Sequence, residues 1–308
     1  MSTQELESLI NMLRTGGPDL AAPPPQAREN FEAMLGGIPI AEDVAFEPTS
    51  LGGIPARWSS TPGASQERVL LYLHGGGYVL GSSQGYRPLF SELARAAGAR
   101  GLALDYRLAP EHPFPAAVDD AIAGYRALLS QGIAPGSIAI AGDSAGGGLT
   151  VAMLVAARDA GLPMPAAAVA ISPWADLECT GASIVSKAAD DPSLNREGLI
   201  GMAANYLNGA APRTPLASPL YADLTGLPPL LIQVGSAEVL LDDATRLAAR
   251  AGAADVEVQL EIWPHMPHVW HGFAFQLSEG RDAIGAAGAF VAARFQRHRS
   301  QKHHETVA

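Results

Sequence analysis

Six stretches of this chain are continuously apolar: 68–76 (RVLLYLHGG), 99–106 (ARGLALDY), 137–142 (SIAIAG), 166–172 (AAAVAIS), 228–235 (PPLLIQVG) and 256–263 (VEVQLEIW). A strand half exposed to water alternates apolar and polar residues, whereas runs such as Val69, Leu70, Leu71 and Leu73 bury both faces. Between most of them lie Ala/Leu-rich helical segments, among them YRPLFSELARAAG, AAVDDAIAGYRALLSQG, GLTVAMLVAARDAG and DDATRLAARAG. Strand and helix in alternation predict an α/β fold with a mostly parallel, doubly wound sheet. Shorter strand signals, VAFEP and IPARWSS, precede it.

Two regions stand outside the alternation. Near the N-terminus Leu6, Leu9, Ile10 and Leu13 share one face of a short amphipathic helix, which the Pro-rich run at 21–26 ends. A second helix is expected over 28–35. Between Asp176 and about Leu227 no buried strand is legible, only a helix-like NREGLIGMAANYL and a Pro-rich run. An insertion there can fold over the carboxyl edge of the sheet, where ligands of such folds bind. The expectation is one domain over 1–308, with a cap formed by about 1–40 and 178–226. Its residues Met202, Tyr206 and Leu207 are expected to make a compact pocket.

Charge and cysteine content narrow the function classes. With 20 Lys+Arg against 31 Asp+Glu the formal net charge is -11, and no basic run is present, so the field repels nucleic acid and anionic membrane surfaces. Cys179 is the only cysteine, which excludes an intrachain disulfide and a CxxC metal framework. The N-terminal MSTQELESLINML lacks the basic region of a signal peptide, and no apolar run reaches membrane-spanning length. A cytoplasmic protein without stable membrane anchoring is expected. His303 and His304, in the polar C-terminal tail, read as solvated rather than metal-binding.

The chemistry concentrates after the strands. GDSAG at 142–146 fits G-x-S-x-G, in which a strand turns sharply into a helix and lifts Ser144 above the sheet. A plain Gly-rich turn is the bland alternative. A phosphate loop fails, because Leu149 and Thr150 follow Gly148 where Lys and Ser/Thr are required. HGGG at 74–77 follows another buried strand, and its glycines can turn backbone N–H groups toward a developing oxyanion. The rival there is a dinucleotide loop with Asp105 as ribose ligand, but Leu80 stands where that fingerprint needs Gly or Ala.

A serine nucleophile needs an imidazole base and a carboxylate to orient it, in the order Ser, acid, His for this topology. The strand ending at Gly235 delivers SAEVLLDD, offering Glu238, Asp242 and Asp243. Glu238 is nearest the strand end, whereas Asp242 and Asp243 suit the first turn of a helix. The last strand delivers WPHMPHVWHGF, with His265, His268 and His271. Composition does not rank these three.

HGGGYVLG (74–81), DYRLAPEHPFPAA (105–117), GDSAGG (142–147), SPWADL (172–177) and MPHVWHGF (266–273), in that order, resemble the hormone-sensitive-lipase family of bacterial α/β-hydrolase esterases. The resemblance runs from about Val44 to the C-terminus. It implies the α/β-hydrolase fold and hydrolysis of short- to medium-chain carboxylic esters through an acyl-enzyme, with Ser144 as nucleophile, His268 as base and Glu238 as acid. The family more often has Asp where Glu238 stands. The implied oxyanion donors are the amides of Gly75, Gly76, Gly77 and Ala145. His74, Asp105, Arg107 and Glu111 are implied to be scaffold, and Asp143 to shape the turn at Ser144. No metal or organic cofactor is implied; the partner is a small-molecule ester, and a homodimer is a family expectation. Amidase or lactonase chemistry on the same machinery, and a non-catalytic small-molecule receptor that has lost the histidine, are the alternatives.

Overall fold

The structure is a computed structural model and describes the backbone of residues 3–16 and 22–307, with side chains for 4–16 and 22–296. His303 and His304 therefore lie outside the described side chains. Eight strands form one sheet in the order β1-β2-β4-β3-β5-β6-β7-β8. They are β1 (Ala45–Leu51), β2 (Ile54–Ser60), β3 (Ser65–Leu73), β4 (Ala99–Leu104), β5 (Ile138–Asp143), β6 (Ala167–Ile171), β7 (Leu230–Gly235) and β8 (Val258–Trp263). β1 and β2 pair antiparallel, as do β2 and β4; every other pairing is parallel.

The continuous apolar runs are explained by two cores. Along β3, Val69, Leu71 and Leu73 enter one core while Leu70 and Tyr72 enter the other; along β5, Ile138 and Ile140 separate in the same way from Ala139 and Ala141. Successive side chains point to opposite faces, so burying both faces demands apolar residues throughout. The helices α4 (Ala116–Ser130), α5 (Ala145–Asp159) and α8 (Leu241–Ala253) cover one face; α3 (Arg87–Ala96) and α9 (Ser278–Val307) cover the other. β8 departs from this. It is the edge strand, its residues are half-buried or exposed, and Ile262 is 46 % exposed. Its Gln259 and Glu261 mark an open face that the reading of VEVQLEIW as a buried run missed.

The N-terminal segment supplies α1 (Thr3–Gly16) and α2 (Pro24–Gly36). The apolar face of α1 is covered: Leu6, Leu9 and Leu13 pack with Met266, Trp270 and Phe273, just beyond β8. α2 starts four residues earlier than the expected 28, with prolines in its first positions. Pro24 and Pro25 open the helix rather than precede it, because the first-turn N–H groups have no intrahelical acceptor to lose. The stretch from 178 to 226 carries no strand. It holds α6 (Ser183–Ser186) and α7 (Arg196–Leu207), the latter capped by Asn195, whose side chain accepts from the Gly198 N–H at 2.8 Å. No helix among the described residues is long and apolar enough to cross a membrane.

Candidate active site

Ser144 sits between β5 and α5 with φ 54° and ψ -122°, a conformation that costs an L-residue roughly 1–3 kcal/mol. The turn is held by its own backbone: the Ser144 N–H donates to Ile171 O (2.8 Å), and the Ser144 carbonyl accepts from Trp174 N (2.9 Å) and Gly148 N (3.1 Å). The flanking glycines are required by close approach. A Cβ on Gly142 would strike the Gly146 carbonyl, and one on Gly146 would strike the carbonyls of Leu73 and His74. The small residues of GDSAG thus let α5 leave the sheet at a steep angle, with the serine at its vertex.

Ser144, Gly76, Gly77 and His268 line one cavity. The rest of its wall is mainly apolar: Leu13, Phe31, Met34 and Leu35 come from the N-terminal helices, and Leu194, Leu199 and Met202 from the 178–226 stretch. Of the three residues expected to shape this pocket, Met202 does so. Tyr206 and Leu207 instead face the core beneath α7, because they lie one turn further along the helix, where it rests on the body of the protein.

Among the three histidines, the loop geometry after β8 separates the roles. His268 Nδ1 lies 2.8 Å from Glu238 Oε2. Burial works against a charge on this imidazole, but the hydrogen bond and the negative charge of Glu238 outweigh it and raise its pKa above the ordinary 6.5. His265 is exposed, with its N–H held by Ser236 Oγ at 2.8 Å. His271 is buried, with Nε2 2.9 Å from Gln233 Oε1, and burial pushes its pKa down to about 3. It stays neutral beneath the site.

Glu238 is fully buried and its second oxygen is fixed: Oε1 accepts from the Ser172 hydroxyl (2.7 Å) and the Gly235 N–H (2.6 Å). Ser172 Oγ also accepts from Val269 N at 3.2 Å, tying the acid to the histidine loop. The competing carboxylates are committed elsewhere. Asp242 accepts from Ser183 N (3.0 Å), and Asp243 from the N–H groups of Ala175 and Asp176 (2.9 Å each). Ser172 was not singled out in the sequence; it lies inside SPWADL, but its partner is sixty-six residues away.

The expected oxyanion set contracts by one. The Gly75 N–H donates to Asp143 Oδ1 at 2.9 Å and is not free for a ligand. Among the described residues, the amides of Gly76, Gly77 and Ala145 donate to no protein acceptor. Ala145 opens α5, where N–H groups lack an intrahelical partner. Asp143 is the link between the two motifs: it also accepts from Tyr72 OH (2.6 Å) and Tyr86 OH (3.0 Å). Burial raises its pKa to about 6 against those hydrogen bonds.

The remaining motif residues support the loop. His74 stacks on Tyr106 (4.3 Å between centroids), whose hydroxyl donates to His74 O at 2.7 Å. Asp105 accepts from Ser83 N (2.6 Å) and Oγ (2.8 Å), and Arg107 pairs with Asp120 at 2.7 Å. Glu111 pairs with Arg28 of α2, which also donates to the carbonyls of Val79 and Ala109 at 2.8 Å each. This anchor for the N-terminal segment had no local signal in the sequence.

Comparison with known proteins agrees with the fold. Residues 70–272 match the family described as alpha/beta hydrolase fold. The chain is 57% identical over 266 residues to an acetyl-hydrolase of Streptomyces hygroscopicus, covering 86% of each chain. It is 34% identical over 286 residues to an esterase of Acinetobacter venetianus, covering 92% of this chain and 94% of that one. A crystal structure of an esterase from the bacterial hormone-sensitive lipase family superposes with a TM-score of 0.92 at 52% identity, over 96% of this chain and 99% of that one. The fold and the site thus define an α/β-hydrolase. Within that class the chain belongs to the hormone-sensitive-lipase family of esterases.

Proposed function

We propose that this protein hydrolyses short- to medium-chain carboxylic esters through a Ser144-His268-Glu238 triad and a covalent acyl-enzyme. The observation that carries the reading is the Glu238–His268 pair at 2.8 Å, whose histidine lines the same cavity as Ser144. With Nδ1–H donating to Glu238, Nε2 of His268 is the basic nitrogen and takes the Ser144 proton as Oγ attacks the ester carbonyl. The carbonyl oxygen becomes an oxyanion, accepted by the amides of Gly76, Gly77 and Ala145. The tetrahedral adduct collapses, and the alcohol leaves with the proton from His268. Water, deprotonated by His268, then attacks the acyl-Ser144 ester, and the carboxylic acid departs as His268 returns the proton to the serine.

The N-terminal segment to about residue 40 and the stretch 178–226 act as a cap that supplies the apolar wall for the acyl chain. The name of the 57% identical relative, acetyl-hydrolase, favours the short end of the range. The single cysteine, Cys179, is buried and suits a reducing compartment, which supports a cytoplasmic location.

The test is hydrolysis of nitrophenyl esters of rising acyl length by the wild type and Ser144→Ala. Activity should be highest for short acyl groups and fall by about 10⁴-fold or more in the variant. An inactive wild type, or a variant that keeps its rate, would refute the reading.

A further inference from the structure

We propose that Tyr206, on α7, is a positioning residue for the oxyanion loop: its ring fixes Tyr78, and through Tyr78 the amides of Gly76 and Gly77. This rests on the reading of those amides as oxyanion donors.

Three consecutive residues of the loop have positive φ: Gly76 at 107°, Gly77 at 62° and Tyr78 at 64°. Glycine adopts this region freely, but an L-residue such as Tyr pays roughly 1–2 kcal/mol for it. A loop in that state reverts unless its surroundings hold it. Its backbone supplies some of the hold: Gly76 O accepts from the N–H groups of Val79 (3.0 Å) and Leu80 (2.8 Å), and the Ala109 N–H donates to Tyr78 O at 2.9 Å. The side chain supplies more. Tyr78 lies face to face on Tyr206, with centroids 3.8 Å apart and planes within 4°.

Tyr206 is itself held from behind. Its carbonyl accepts from the Phe114 N–H at 2.7 Å, and the Phe114 ring meets its own edge to face at 5.8 Å and 82°. Residues 109 and 114 belong to the same segment, so loop, segment and helix close a ring of contacts around Tyr78. One turn earlier on the same face of α7, Met202 places its sulfur where a Cβ on Gly77 would sit. Residues four apart on α7 therefore press on consecutive residues of the loop. A helix that walls the cavity also sets where the two amides point.

The two hydroxyls report how the contact works. Both Tyr78 OH and Tyr206 OH are buried and have no hydrogen-bond partner among the described residues. The contact is made by ring faces, so phenylalanine should replace Tyr206 and an aliphatic side chain should not.

The experiment compares Tyr206→Phe, Tyr206→Leu and a remote core variant, Leu128→Ala on α4, by thermal unfolding, by kcat and KM on a nitrophenyl ester, and by inhibition with a trifluoromethyl ketone that forms a tetrahedral adduct. Tyr206→Phe should keep kcat within about two-fold, whereas Tyr206→Leu should lower it about ten-fold or more, less than the ~10²–10³ of losing an oxyanion donor outright. KM should stay within about three-fold, and ketone affinity should fall in parallel with kcat. Leu128→Ala should lose Tm and keep kcat. If Tyr206→Leu loses only Tm, or only raises KM, Tyr206 is structural packing and the proposal is overturned. Should that variant fail to fold, Phe114→Leu, which loosens Tyr206 from behind, carries the same kcat prediction and the same refutation. A wild type without esterase activity would instead refute the functional reading, which separates the two failures.

Discussion

Glu238 reaches across from the end of β7 to place Oε2 2.8 Å from Nδ1 of His268, in the loop that follows β8. The parallel pairing of these strands, with Gly235 opposite Trp263, brings the two strand ends together. Gly235 is needed there: a Cβ would strike the Met266 carbonyl. The pair is therefore set by strand register, and Ser172 at the end of β6 locks it from the third side.

The pH profile should show this pair. An imidazole acts as base only when neutral, so with His268 as the proposed base kcat/KM should fall as pH drops through its pKa, with the inflection above the ordinary 6.5. Glu238→Gln removes the charge that raises that pKa. It should move the inflection down and cost about 10²–10⁴ in kcat. Asp242→Asn, whose carboxylate serves Ser183 instead, should leave both the inflection and kcat in place. A larger loss at Asp242 would reassign the acid.

Stability should depend on pH through Asp243. Burial raises its pKa to about 8 from an ordinary 3.8, so folding takes up a proton between those values. The stabilisation is fully present below pH 3.8 and is lost as pH rises toward 8. An asparagine keeps an acceptor for the Ala175 and Asp176 amides and cannot ionise. Asp243→Asn should therefore flatten the dependence of Tm on pH and exceed the wild type at pH 8. Unchanged slopes in thermal unfolding between acid and mildly alkaline buffer would contradict this.

Two glycine substitutions separate close approach from propensity. Gly146→Ala presses a methyl onto the carbonyls of Leu73 and His74, neither of which can move without breaking β3 from its turn. It should cost about 1–3 kcal/mol or more and remove activity. Gly201 lies in α7 with open space around it. Gly201→Ala should raise stability by about 0.5–1 kcal/mol with activity retained. Thermal melts and ester turnover measure both.

The strands that flank the turn at Ser144 were legible because burial on both faces leaves no polar residue to obscure them. β8 does not belong with them: Gln259 and Glu261 alternate with its apolar residues, the pattern of a strand with an open face, and the sheet order places it at an edge. The serine was legible because a strained turn leaves a local pattern of small residues. The histidine was not decidable from residues alone, since His265, His268 and His271 fall in one seven-residue stretch and backbone turns, including positive φ at His265 and Val269, decide which meets Glu238. That Asp143, sixty-eight residues away, takes the Gly75 N–H is not written in HGGG. Contacts across such separations leave no spacing to read.

Arg28 offers a further check on the N-terminal segment. Its guanidinium bridges α2 to Val79 O, Ala109 O and Glu111, and that pairing holds the Glu111 pKa down to about 2. A lysine cannot span three acceptors in one plane. Arg28→Lys should loosen the wall formed by Phe31, Met34 and Leu35, raising KM about three-fold or more with a smaller change in kcat. Equal kinetics in the two proteins would show that α2 is held by its apolar contacts alone.

The central claim is that Ser144 is the residue that becomes covalently attached to the acyl group. Treating the purified protein with a nitrophenyl alkylphosphonate and mapping the adduct by peptide mass spectrometry tests it most directly. One phosphonyl group on Ser144, with activity lost in proportion, is the predicted result; an adduct on another residue, or lost activity with Ser144 unmodified, would contradict it.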